Sequence, residues 1–120
     1  MSTPIEIHID GELTFRGELT DPTVVAALPI EGPIQRFGNE VSVVRALDIA
    51  VDDGDSNEVP IGAIAYWPAG ECLTFFVAAT PLTEKSDSDL VVATSAVRVV
   101  GVIQEPAPIS RDARRIEVRR

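Results

Sequence analysis

At 120 residues, 45% hydrophobic and 24% charged, the chain has the size and composition of one folded domain that buries roughly two thirds of its unfolded surface. Its net charge of −9 repels phosphate and argues against nucleic acid as a partner, and no run approaches the ~20 apolar residues of a membrane span. The opening MSTPIEIHID has neither the basic start nor the apolar core of a secretory signal, so the cytoplasm is the expected compartment.

In chain order, Ile5-Glu6-Ile7-His8-Ile9 alternates perfectly and predicts a half-buried strand, followed by an Asp10-Gly11 turn and a second strand over 13–19. Thr20 or Asp21 then caps a helix with Pro22 in its first turn, and Thr23-Val24-Val25-Ala26-Ala27-Leu28 supplies about two turns before Pro29 ends it. Gly32-Pro33 leads into a strand over 34–37. Gly38-Asn39 separates that strand from a β-branched run over 41–51, long enough for two short strands or one bent strand. Asp52-Asp53-Gly54-Asp55-Ser56-Asn57-Glu58 is acidic, but it lacks the Gly and Glu spacing of a calcium loop and the flanking helices, so it reads as a solvated hairpin tip.

The most informative stretch is 61–81, IGAIAYWPAGECLTFFVAATP, which holds the only Trp, Tyr and Cys and two of the four Phe. It reads as two strands, 61–67 and 73–77, turned by Pro68-Ala69-Gly70-Glu71, with Gly70 supplying a positive φ. Strand side chains alternate, so each adjacent pair, Tyr66-Trp67 and Phe75-Phe76, points one ring into the core and one outward. The outward rings need cover from protein or ligand. Beyond a polar loop over 83–89 comes a Val-rich strand over 96–103, and after Pro106 and Pro108 a last strand at Ile116-Glu117-Val118. Residues 110–120 carry five Arg against Asp112 and Glu117, and this basic end is expected to lie along the protein's own acidic surface with Arg outward. Short strands at even spacing predict a closed barrel or a sandwich.

Chemistry is sparse. One cysteine excludes an internal disulfide, and Cys72 beside a turn reads as a small apolar filler. His8, the only histidine, reads as a solvent-facing strand residue, which leaves Ser-His-Asp, Cys-His and His-based zinc arrangements without support. No cofactor or metal is expected.

Gly62-Ala63-Ile64-Ala65-Tyr66-Trp67-Pro68-Ala69-Gly70, with Phe75-Phe76, Ala96-Val97-Arg98-Val99-Val100-Gly101-Val102-Ile103 and Phe37-Gly38-Asn39-Glu40, resembles the small cyclophilin-like domain family of uncharacterised prokaryotic proteins. The likeness runs over 5–103. Phe37 stands where the family's Trp-Gly-x-Glu motif has Trp. The resemblance implies a mainly β fold, a closed antiparallel barrel with one or two short capping helices. It also implies a comparison with prolyl isomerases, in which Arg36 takes the place of the catalytic Arg and Phe76 that of the proline-pocket Phe, while Thr74 replaces a Gln. Three readings follow: a binding domain whose aromatic cleft of Phe37, Tyr66, Trp67 and Phe76, with Thr74 and oriented by Arg36 and Glu40, holds a peptide segment or small apolar ligand; a weak prolyl isomerase using Arg36 and Phe76; or a structural barrel that forms homo-oligomers. The first is favoured.

Overall fold

The opening hairpin forms as its alternation predicts: β1 (Thr3–Ile9) and β2 (Leu13–Leu19) pair antiparallel from Thr3↔Leu19 to Ile9↔Leu13. Asp10 and Gly11 both adopt positive φ in the turn, 53° and 72°, which Asp and Gly tolerate better than other residues. Ile5, Ile7 and Ile9 face inward and are buried, while Glu6 and His8 face out. The computed structural model describes residues 2–37, 40–51, 55–77 and 90–120, with the side chains of 37, 56–57 and 90–95 outside that description. The acidic run at 52–54 and the polar loop at 83–89 lie outside the described residues, and so do Gly38 and Asn39.

The helix α1 (Pro22–Ala27) starts at Asp21, whose carboxylate accepts the Thr23 amide at 2.8 Å, and has Pro in its first turn. It turns Val24 into the core and covers one end of the barrel. The next segment is a strand from its start: β3 (Ile30–Pro33) runs through the Gly-Pro pair before β4 (Gln35–Phe37) begins. Pro33 is tolerated there because β3 is an end strand of the sheet.

The β-branched run after it gives only one strand, β5 (Glu40–Val44). Residues 45–51 cross the barrel end beside α1 and pack Leu47 and Ile49 on the core. The Tyr66 hydroxyl holds that crossing by donating to the Arg45 carbonyl at 2.7 Å and accepting from the Leu47 amide at 2.9 Å. Those are bonds a sheet neighbour would otherwise have made.

β6 (Ser56–Pro60) begins inside the segment that reads as an acidic loop. β7 (Ala63–Trp67) and β8 (Cys72–Phe76) form the predicted aromatic hairpin, joined by a 3-10 turn at Pro68–Gly70. The positive φ falls on Glu71 (51°), not on Gly70. Gly70 is small for another reason: a Cβ there would collide with the Trp67 ring. β9 (Leu90–Ile103) is a single 14-residue strand, and β10 (Arg115–Arg119) is the predicted last strand.

The sheet order is β3-β10-β1-β2-β9-β7-β8-β5-β4, with β6 paired on β9. Its two end strands, β3 and β4, are consecutive in the chain and separated only by Ile34. The chain itself therefore closes the sheet into a nearly complete antiparallel barrel. Across this seam β3 approaches β5 so closely that a Cβ at Gly32 would sit 3.0 Å from Val43 Cγ2.

Two apolar clusters result. The barrel interior holds Ile7, Leu19, Ile30, Tyr66, Phe75 and their neighbours. The second cluster lies on the outer face of the wall: Ala63, Ala65 and Phe76, covered by Val59 and Val97 and flanked by Trp67. The cover comes from a ribbon, because β9 pairs with β7 through residues 98–102 and with β6 through residues 90–97. Among the described residues no helix is long and apolar enough to cross a membrane.

Candidate binding face on the barrel wall

Register sorts the predicted site residues by face. On β5, β8 and β7, Val41 pairs with Phe75 and Phe75 with Ile64, and Val43 pairs with Leu73 and Leu73 with Tyr66. These residues line the interior. The alternate residues form the outer wall in three rows: Glu40 with Phe76; Ser42 with Thr74 and Ala65; Val44 with Cys72 and Trp67. So Glu40, Trp67, Thr74 and Phe76 share one face, whereas Tyr66 points away from it into the core. The expected division of each aromatic pair is present, with Tyr66 and Phe75 inward and Trp67 and Phe76 outward.

Tyr66 is therefore a core anchor and does not belong with the outward rings. Its phenol is pushed above its ordinary pKa, chiefly by burial, and both of its hydrogen bonds go to the 45–47 backbone. The side chain of Phe37 lies outside the described residues.

Arg36 is also separated from Phe76. It pairs with Val41, on the inward-facing register, whereas Phe76 pairs with Glu40 on the outer one. Its guanidinium spans the seam, with Nη1 donating to the Ser110 carbonyl at 2.7 Å and Nη2 to the Ile109 carbonyl at 2.6 Å. The described geometry does not bring the two residues together as an isomerase pair.

On the outer wall the polar atoms differ in how they are satisfied. Ser42 and Thr74 are buried and hydrogen-bond each other at 3.0 Å, so their hydroxyls make no further demand. The Cys72 Sγ donates to the Gly70 carbonyl at 3.1 Å. Burial raises the pKa of its thiol, and the charges of Glu40 and Glu71 add to that, so it stays protonated and is a poor nucleophile.

Glu40 is the exception. It is partly buried beside Phe76 and has no hydrogen-bond or ion-pair partner among the described residues; desolvation pushes its carboxyl up to about 7. Chemically the face offers one proton-titrating acceptor beside an apolar floor, with the half-buried Trp67 at the far row and the half-exposed Val44 (52%) at the margin.

Sequence reasoning did not single out the Ser42–Thr74 pair. Its signal is present, since each is a lone hydroxyl inside an apolar strand, VSVV and LTFF. Elsewhere, His8 sits on the outer face of β1, with Nε2 3.0 Å from Glu6 Oε1 and 3.1 Å from Arg119 Nε, and Nδ1 3.2 Å from Thr14 Oγ1. A polar groove of about 460 Å³ borders it, lined by Glu31, Arg115 and Glu117 among others. Another of about 510 Å³ lies beside α1. Among the described residues no group of three or more His, Cys, Asp or Glu is placed to hold a metal ion.

The fold has a solved counterpart: a hypothetical protein of Archaeoglobus fulgidus, known from its solution structure, superposes with a TM-score of 0.73 at 23% identity, over 99% of this chain and 95% of the other. At that identity the likeness concerns the fold alone. Among curated proteins the sequence finds no match. The cyclophilin-like family model matches residues 3–118, and on that match the chain belongs to the cyclophilin-like family.

Proposed function

We propose that the protein is a non-catalytic binding domain that holds a small apolar ligand or a peptide segment on the outer barrel face, with Glu40 as polar anchor and Trp67 and Thr74 in the same wall. The observation that carries this reading is the Glu40 carboxyl, partly buried and without a partner among the described residues. Desolvating a carboxylate without a donor costs free energy, and folding alone gains nothing from it; a ligand that supplies the donor recovers that cost. The ribbon of β6 and β9 packs on Phe76, so the ligand takes the part of the face that stays open beside Glu40, Val44 and the half-buried Trp67.

The test is an amide-resolved NMR screen of small apolar compounds and Ala-Pro-containing peptides, read together with the emission of Trp67. Binding in this mode shifts the Glu40, Thr74 and Phe76 amides, and Glu40→Ala removes the response. Shifts confined to the groove beside His8, or no shifts at all, would reject it.

A further inference from the structure

One ring nitrogen of His8 has two incompatible neighbours. Nε2 lies 3.1 Å from Arg119 Nε, on the strand paired with β1, and 3.0 Å from Glu6 Oε1, on its own strand. A guanidinium Nε–H only donates, and an ionised carboxylate only accepts. A neutral imidazole with its lone pair on Nε2 therefore satisfies Arg119 and turns that lone pair against Glu6. An imidazolium satisfies Glu6 and turns its N–H against Arg119. Nδ1, 3.2 Å from Thr14 Oγ1, carries a proton for that hydroxyl in both states, so Thr14 on β2 does not decide between them.

We propose that His8 is a pH-sensitive clamp on the last strand. With the ring neutral, Arg119 donates to Nε2 and this side-chain bond ties β10 to β1. With the ring protonated, Nε2–H goes to Glu6, and Arg119 leaves the ring for Glu117, whose Oε1 is already 3.6 Å from its Nη1. One bond between strands is exchanged for two ion pairs, each within a single strand.

The charged groups around the ring are compatible with both states. Glu117 stands directly opposite His8 in the register and Glu31 opposite Glu117, so β10 and β3 present carboxylates to the imidazolium and to the released guanidinium. On β2, Arg16 stands opposite Glu6 and competes for that carboxylate. Beyond His8, Asp10 is engaged by the Arg114 and Arg115 amides. The ring is only 17% exposed, so these side chains, more than water, answer the arrival of a proton. His8, Glu31, Arg115, Glu117 and Arg119 also line the groove of about 460 Å³, and protonation adds a positive charge to its wall and moves Arg119 within it.

The experiment follows the His8 ring nitrogens and Arg119 Nε by 15N NMR of the full chain from pH 8 to pH 5.5, a range in which imidazole changes charge. At pH 8 the proton is expected on Nδ1 and the lone pair on Nε2. As the ring takes up its second proton, the Arg119 Nε resonance should shift along the same titration curve. His8→Ala should leave that resonance flat over the range. Arg119→Met should move the ring proton at pH 8 from Nδ1 toward Nε2, where Glu6 accepts it. An Nε2–H ring at pH 8 in the parent, an Arg119 Nε that ignores the titration, or a ring unmoved by Arg119→Met would overturn the clamp, because Arg119 would then not be the partner that protonation displaces.

Discussion

Glu40 lies in the outer row of β5, where its neighbour across the strands is a fully buried phenylalanine, and this placement sets its titration. Its carboxyl is raised from an ordinary 4.5 to about 7 by desolvation, so the folded state disfavours the ionised form. Below pH 4.5 the group is protonated whether the chain is folded or not, and it has no effect on stability. As the pH rises from 4.5 to 7 it costs stability, and above 7 the cost is constant. Glu40→Gln should therefore raise the denaturant midpoint at pH 8 by the equivalent of about 1–2 kcal/mol, after allowance for solvent screening, and leave it unchanged at pH 4. A variant less stable than the parent at pH 8 would mean that the carboxylate has a donor. Glu40 was legible as a candidate from its place after Phe37-Gly38-Asn39. Its isolation was not, because that depends on which strand lies beside it and which way Arg36 turns.

At the scale of elements, the aromatic hairpin was readable and the run after β4 was not. Alternation makes Tyr66-Trp67 and Phe75-Phe76 split across the sheet whatever the partner strands are. The β-branched run at 41–51 has strand propensity throughout, yet the strand ends at Val44: the Arg45 amide still reaches the Glu71 carbonyl, and Tyr66 then takes up the Arg45 carbonyl and the Leu47 amide. Tyr66→Phe removes both bonds and leaves the Arg45 carbonyl and the Leu47 amide without their partner. A loss of about 1–3 kcal/mol is expected, with faster hydrogen exchange at Leu47 than in the parent and no change at β1. If Leu47 keeps its protection, the segment is held by Leu47 and Ile49 packing alone.

For the whole molecule, closure is the feature on which the other predictions turn. Asp10, at the tip of the first hairpin, ties the last strand to it: Oδ1 accepts the Arg115 amide at 2.9 Å and the Arg114 amide at 3.1 Å. Those two amides hold its pKa below the ordinary carboxylate value, that of Arg115 most strongly. Its contribution to stability is present above the ordinary carboxylate pKa and is lost as the pH falls through the depressed one. Asp10→Asn should be less stable than the parent at pH 7 and indistinguishable from it near pH 2; a constant difference across that range would contradict the assignment.

At the seam Arg36 fastens the connection before β10, so Arg36→Met should loosen the ends of the barrel, seen as faster amide exchange around Arg114, whose carbonyl accepts the Ile34 amide. With its guanidinium committed there and Phe76 on the other face, the protein should not speed cis–trans exchange of an Ala-Pro peptide against the ~18–20 kcal/mol barrier of amide rotation. Exchange cross-peaks in NMR that vanish in Arg36→Met would restore the isomerase reading.

The sequence by itself determined the local elements: the hairpin at Asp10-Gly11, the Asp21-capped helix, the aromatic strands around Pro68 and the last strand among the arginines. These follow from side-chain alternation, capping and turn chemistry, all of which act within a few residues. Only the tertiary structure decided that β3 and β4 close the barrel, that a ribbon of β6 and β9 covers Phe76, that Tyr66 and Arg36 serve the scaffold, and that Glu40 has no partner among the described residues. Each of these depends on strand register between residues distant in the chain, and a shift of one residue exchanges the two faces of a strand.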